Sequence, residues 1–226
     1  MTRVYQGKTK DVYKNPSGTY TLVFKDTATG KDGVFDPGEN AVGLSIDGLG
    51  RESIRMSQYF FEKINEAGIP NHYVECDINA SSMTVLPAKA FGNGIEFICR
   101  LRADGSFVRR YGAYTKHGDK LDYVIEATIK DDARKDPPIN QDTMLALKIM
   151  TQQEYDICLD LTKKTTQLIA AELAAKGLEL YDIKYEFGKN DDNVILIDEF
   201  SAGIMRAYKD GKPVPPMELA TMILPA

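Results

Sequence analysis

Histidine and cysteine are scarce in this 226-residue chain, which has two histidines, His72 and His117, and three cysteines, Cys76, Cys99 and Cys158. Two histidines leave little room for a multi-histidine metal centre or a Ser–His–Asp machine. The cysteines are widely spaced, odd in number and include no CxxC pair. They read as reduced thiols, mostly packed, and not as a disulfide framework. No apolar run approaches the roughly 18 residues of a membrane helix. An excess of basic charge is missing too. With 28 Lys and Arg against 33 Asp and Glu, the formal net charge is −5, which argues against a nucleic-acid binder held by bulk electrostatics. Chemistry therefore falls to lysine, arginine, aspartate, glutamate and backbone amides.

What is present is ordinary for a globular protein: 43% hydrophobic and 27% charged residues. Apolar residues are too plentiful, and net charge too small, for disorder as the main state. The length suggests about one to two domains. The opening Met1-Thr-Arg-Val-Tyr5 leads directly into a strand-like pattern without a leader's apolar core, so cytoplasm is the expected location.

Residues 3–13 read as strand, turn and strand, with Gly7-Lys8-Thr9-Lys10 at the turn. A second turn at Asn15-Pro16-Ser17-Gly18 precedes a strand from Tyr20 to Phe24. Residues 26–50, rich in Gly and Asp, read as a long irregular loop, a type that is often functional. Ile54, Phe61, Ile64 and Ala67 form one stripe of a helix over 51–67, stopped by Gly68 and Pro70. Strands are predicted at Met83–Pro87 and Ile95–Leu101. Thr151 and Glu154 match a capping box opening a helix that carries Ile157, Leu161, Leu168 and Leu173 and ends at Gly177. Residues 178–187 and 194–200 read as a hairpin around 189–193. The order of elements implies an α+β fold, with domains at 1–86 and 87–226.

Four segments carry chemistry. In the hairpin, strand alternation puts Asp182, Lys184 and Glu186 on one face, and the partner strand is apolar until Asp198 and Glu199. Charges in so apolar a segment need partners or ligands. The pattern suits either a solvated face with surface pairs or a Mg²⁺–phosphate site. Gly7-Lys8-Thr9-Lys10 can offer backbone N–H groups and two lysines to a phosphate, although it lacks Walker A spacing; the plainer alternative is a solvated hairpin tip. Arg100, Arg102, Arg109 and Arg110 surround a Gly105-Ser106 turn and suit a phosphomonoester or carboxylate, or simply a charged loop. Lys130 to Pro138 is a solvated loop or one that closes over charged substrates.

Taken in order, these segments resemble one family, the phosphoribosylaminoimidazole-succinocarboxamide synthases (SAICAR synthetases) of purine biosynthesis. Gly7-Lys-Thr-Lys-Asp-Val-Tyr13 is similar to the family's opening strand–turn–strand, and Asp26–Gly33 to its Asp/Thr/Gly loop. Gly68–His72, Arg100–Gly112 and Lys130–Pro137 resemble three further family segments. Asp182-Ile-Lys-Tyr-Glu-Phe-Gly188 and Asp198-Glu-Phe-Ser201 are similar to the family's Asp-Phe-Lys-Leu-Glu-Phe-Gly and Asp-Glu-Ile/Phe-Ser motifs.

The resemblance implies an ATP-dependent carbon–nitrogen ligase. ATP phosphorylates the carboxylate of carboxyaminoimidazole ribonucleotide, and the amine of aspartate then displaces phosphate to form an amide. It implies a two-lobed fold, an antiparallel N-terminal sheet beside a mixed C-terminal lobe, with ATP between the lobes. The implied cofactors are ATP and Mg²⁺. Gly7, Lys8 and Lys10 would lie at the nucleotide, and Glu186 and Asp198 would hold the metal and nucleotide. Lys8, Lys10, Lys130 and Lys184 would be catalytic. Arg100, Ser106, Arg109 and Arg206 would hold the phosphorylated acceptor, with Lys130 and Asp132 in the loop over the amino-acid side. Partners would be small molecules only, with neither nucleic acid nor membrane, and a homodimer is the candidate assembly.

The chain departs from the family at Leu101 for its Asn, Asp104 for its second Ala, Gly203 for its Asp and Tyr208 for its Trp. Its C-terminus, Met222-Ile-Leu-Pro-Ala226, lacks the family's usual long helix. The departures gather on the acceptor side. Alternative readings are therefore a diverged ligase for another carboxylate and amine, a small-molecule kinase that stops after phosphoryl transfer, or a non-catalytic nucleotide-binding protein.

Overall fold

A computed structural model describes residues 1–224. The C-terminal reading therefore ends on two residues, Pro225 and Ala226, that lie outside the described part. The chain forms two compact units, one of residues 1–88 with 199–204 and 214 onward, the other of residues 89–198 and 205–213.

The first unit opens with β1 (Thr2–Gln6), β2 (Lys10–Lys14) and β3 (Tyr20–Phe24), the meander expected from the sequence. After β4 (Thr27–Lys31), β5 (Val34–Phe35), β6 (Val42–Ser45) and α1 (Leu49–Glu66) come β7 (Tyr73–Asp77) and β8 (Ser82–Val85). Five strands form one antiparallel sheet in the order β1-β2-β3-β8-β7. Helix α1 buries Ile54, Phe60, Phe61 and Ile64, whereas Ala67 is its exposed C-cap.

Residues 26–50 are not irregular. They fold into a second, three-stranded sheet in the order β5-β4-β6. Glycines hide the pattern: the β4 and β6 backbones approach so closely that a Cβ on Gly43 would strike the backbone of Gly30. Asp26 ties the sheet to the start of α1, its Oδ1 accepting Gly50 N–H at 2.9 Å and its Oδ2 accepting Gly48 N–H at 3.2 Å.

The second unit contains β9 (Lys89–Ala90), β10 (Ile95–Arg102), α2 (Gly105–Tyr111), β11 (Lys120–Ile129), α3 (Gln141–Ala146), α4 (Gln152–Ala174), β12 (Glu179–Asn190), β13 (Asn193–Ile197), β14 (Met205–Lys209) and β15 (Lys212–Pro213). Its sheet runs β11-β10-β12-β14-β15, with β13 and β9 also paired to β12. The central strand β12 is buried along most of its length. Helix α4 covers the sheet with Cys158, Leu161, Thr165, Ile169 and Leu173. Its buried stripe includes threonines, so Ile157 and Leu168 sit at the margin, half-buried.

Thr151 caps α4 as its sequence predicts: its Oγ1 accepts Glu154 N–H at 3.2 Å, and Glu154 Oε2 accepts Thr151 N–H at 2.7 Å. Thr151→Ala is expected to cost about 1 kcal/mol of stability. Urea unfolding checks this, and an unchanged midpoint would contradict the cap's contribution. After β15, the last helix, α5 (Pro216–Ile223), belongs to the first unit and packs on α1.

Candidate active site

Strand alternation on β12 puts Asp182, Lys184 and Glu186 on one face. The β10 register sets Glu96 opposite Glu186, Ile98 opposite Lys184 and Arg100 opposite Asp182. Glu96 and Arg100 therefore join the same face, and two groups of charges result.

The first group surrounds Glu186. Lys130 Nζ donates to Glu186 Oε1 at 2.5 Å. Lys184 Nζ donates to Glu96 Oε1 at 2.8 Å, and Thr128 Oγ1 donates to Glu96 Oε2 at 3.0 Å. Burial raises the pKa of Glu186 and repulsion from Asp198 raises it further, against the pull of Lys130 and Lys184. Burial works against the charge on Lys130, but Glu186 and then Asp198 outweigh it and hold the ammonium well above its ordinary value. Lys184 is held charged in the same way, by Glu96 and then Glu186. Asp198, just past β13, adopts φ 74°, a left-handed backbone conformation rare outside glycine and a mark of local strain.

The second group surrounds Asp182, which is nearly fully buried. Arg100 Nη1 donates to its Oδ2 at 2.7 Å, and Arg206 Nη1 donates to Oδ1 and Oδ2 at 3.1 and 2.9 Å. Arg100 also donates through Nε to Glu126 Oε2 at 2.6 Å and through Nη2 to Ser106 Oγ at 3.0 Å. The Gly105-Ser106 turn expected here is the start of α2, with Asp104 as its N-cap.

In the first unit, the Gly7–Lys10 turn is tight. A Cβ on Gly7 would come 2.6 Å from the Lys10 carbonyl oxygen. Lys10 pairs with Glu199, and its ammonium sits over the Phe24 ring. Lys8 Nζ donates to the Asn40 carbonyl at 2.9 Å.

Lys130, Lys184 and Asp198 thus each interact with Glu186 within the second unit, and Arg100 and Arg206 share Asp182 while Ser106 is held by Arg100. Arg109 is exposed on α2 and makes no ion pair with a described residue. Asp132 is exposed in a 3-10 turn over Asp132–Arg134. Sequence reasoning missed Glu96, Thr128 and Glu126, which are placed by strand register. Only the alternation of β10 hinted at Glu96.

Among the described residues no group of three or more His, Cys, Asp or Glu side chains is gathered as a metal cage. Glu186 and Asp198 nevertheless fit Mg²⁺. They are hard oxygen donors whose mutual repulsion a cation would relieve, and Mg²⁺ commonly takes one or two carboxylates and completes its shell with water and phosphate.

Comparison with solved structures gives the class. The chain matches a SAICAR synthetase (Type-2) in complex with ADP at TM-score 0.82 and 25% identity, covering 92% of this chain and 86% of that one. A second SAICAR synthetase structure matches at TM-score 0.79 and 34% identity, covering 92% and 86%. The fold is therefore the α+β fold of a class of carbon–nitrogen ligases. A family model for SAICAR synthetase matches residues 3–215. The phosphoribosylaminoimidazole-succinocarboxamide synthase of Clostridium tetani is 52% identical over 226 residues, covering 99% of this chain and all of that protein. The Thermotoga maritima synthase is 36% identical over 211 residues, covering 92% and 86%. The chain belongs to the SAICAR synthetase family.

Proposed function

We propose that this protein joins the carboxylate of carboxyaminoimidazole ribonucleotide to the amine of L-aspartate at the expense of ATP, in the cytoplasm, as a step of purine biosynthesis. A carboxylate is a poor electrophile because its leaving group would be oxide. In the first step a carboxylate oxygen attacks the γ-phosphorus of ATP, and ADP leaves. In the second the aspartate amine attacks the acyl carbon, the C–O bond breaks, phosphate leaves with that oxygen, and the amine loses a proton. Neither step needs a histidine base or a nucleophilic Ser or Cys, which accords with the composition.

The residues divide the work by charge. Lys8 and Lys10, on the Gly7 turn, hold nucleotide phosphates, with Glu199 orienting the Lys10 ammonium. Lys130 and Lys184 stay protonated and neutralise charge as the phosphoryl group moves. Glu186 and Asp198 would hold Mg²⁺, which when bound supplies charge neutralisation at the phosphates. Arg100, Ser106 and Arg206 take the 5′-phosphate of the acceptor, while Asp132, in its exposed turn, serves the amino-acid side. Residues 1–86 would then carry nucleotide binding and 87–226 the metal and acceptor.

The interaction of Lys130, Glu186 and Asp198 carries this reading. It collects on one patch the charges that phosphoryl transfer requires. The test is release of ADP from Mg²⁺-ATP with each substrate omitted in turn. ADP and amide formed only with both substrates present is the expected result. ADP formed with the acceptor alone and no amide would instead make the protein a kinase.

A further inference from the structure

Asp104 lies beside the arginine group yet has no part in the ligand-holding roles above. Its side chain is largely buried. Oδ1 accepts Gly105 N–H at 2.7 Å, Oδ2 accepts the Tyr208 hydroxyl at 2.8 Å, and Arg206 Nε lies 3.8 Å from that Oδ2. A hydroxyl carries one proton. With that proton on the bond to Asp104, the 3.1 Å contact between the Tyr208 hydroxyl and His117 Nε2 requires an imidazole N–H as donor. Donors therefore run in one direction, from His117 through Tyr208 to Asp104, and the carboxylate at the end faces Arg206.

The members of this chain are held in place. The Tyr208 ring stacks on Tyr181 with centroids 3.6 Å apart and planes 12° from parallel. Burial, and then the bond to Asp104, raises the Tyr208 hydroxyl above an ordinary phenol, so it stays a donor. Gly105 has φ 52°, and a Cβ there would come 2.7 Å from Arg206 Nη2. The guanidinium thus has Asp182 on one side, Asp104 near its Nε, and the Gly105 backbone packed against it.

We propose that Asp104 and Tyr208 are positioning residues that fix the Arg206 guanidinium for the phosphate monoester of the acceptor. The proposal rests on assigning Arg100, Ser106 and Arg206 to that phosphate. Charge balance makes orientation matter here. The carboxylates of Asp104, Glu126 and Asp182 match the guanidinium groups of Arg100, Arg110 and Arg206 in number. An incoming dianion meets aimed donors and no large positive excess.

The probe is ribose 5-phosphate, titrated calorimetrically into the full-length protein, alongside steady-state kinetics. Tyr208→Phe keeps the stacked ring and removes only the hydroxyl. It is expected to weaken ribose 5-phosphate binding and raise the acceptor KM by about three- to tenfold, the scale of one lost hydrogen bond. The expected kcat and ATP KM stay within about twofold of wild type. Asp104→Ala should lose more, and Asp104→Asn, which keeps an oxygen for Gly105 N–H, should recover part of the loss. A general loss of folding would lower kcat as well and would not show that split. If Arg206→Ala abolishes binding while Tyr208→Phe and Asp104→Ala bind as wild type, positioning is refuted and the phosphate assignment survives. If Arg206→Ala itself binds as wild type, the phosphate assignment falls and takes the proposal with it. Should Asp104→Ala not fold, Tyr208→Phe decides.

Discussion

Asn in place of Asp198 is expected to lower kcat by about two to three orders of magnitude, the usual cost of removing one charge-stabilising group from a transition state. The fold should survive. Asn tolerates left-handed φ better than most residues, so the 74° angle at this position costs it little. The lost charge removes a repulsion felt by Glu186 and an attraction for Lys130, which oppose each other, so the melting temperature should change little. Turnover at saturating Mg²⁺-ATP, measured with thermal unfolding of the same preparation, checks both halves. A kcat within threefold of wild type would remove the ligand role proposed for Asp198.

Arg100→Met is expected to destabilise the second unit strongly. The Arg100 and Asp182 side chains are 3% and 4% exposed, so the variant takes one of two guanidinium partners from a buried carboxylate and leaves Glu126 with Arg110 alone. Breaking such a pair from one side typically costs about 3–5 kcal/mol. Arg206 still reaches Asp182 at 2.9 Å, which places the expected loss toward the lower figure. Burial raises the pKa of Asp182, and Arg206 and Arg100 oppose the rise. Removing the carboxyl charge as well, in Arg100→Met with Asp182→Asn, should therefore recover part of the loss. A coupling of about 1–3 kcal/mol in the double-mutant cycle is the expected readout. Urea unfolding of the four proteins measures it, and additive losses would mean that the ion pair is not the source of the effect.

Much of the second unit was legible because its signals are local. Alternation from Asp182 to Glu186 fixes their common face, and Thr151 with Glu154 marks where α4 begins. The missing parts are those that depend on pairing over distance. Glu96 becomes a partner of Lys184 only because β10 lies beside β12 in one register. Asp104 and Tyr208 were visible as departures from the family pattern, but nothing local shows that they meet. The small sheet over residues 27–45 was hidden by Gly30 and Gly43, whose missing side chains permit the close approach and erase the alternation that would reveal strands. The return of residues 199–204 to the first unit is set by burial of Phe200 against Phe60 and Phe61, a contact that leaves no mark in the nearby sequence.

The central claim is that the acceptor's own carboxylate is activated by phosphorylation. Isotope transfer tests it most directly. The acceptor is prepared with ¹⁸O in its carboxylate, turned over with unlabelled ATP and aspartate, and the released phosphate is analysed by mass spectrometry. One ¹⁸O in phosphate for each amide formed is the predicted result, because the acyl carbon gives up one of its oxygens with the leaving group. Unlabelled phosphate released alongside amide would show that ATP is cleaved without passing through the carboxylate, and would contradict the account.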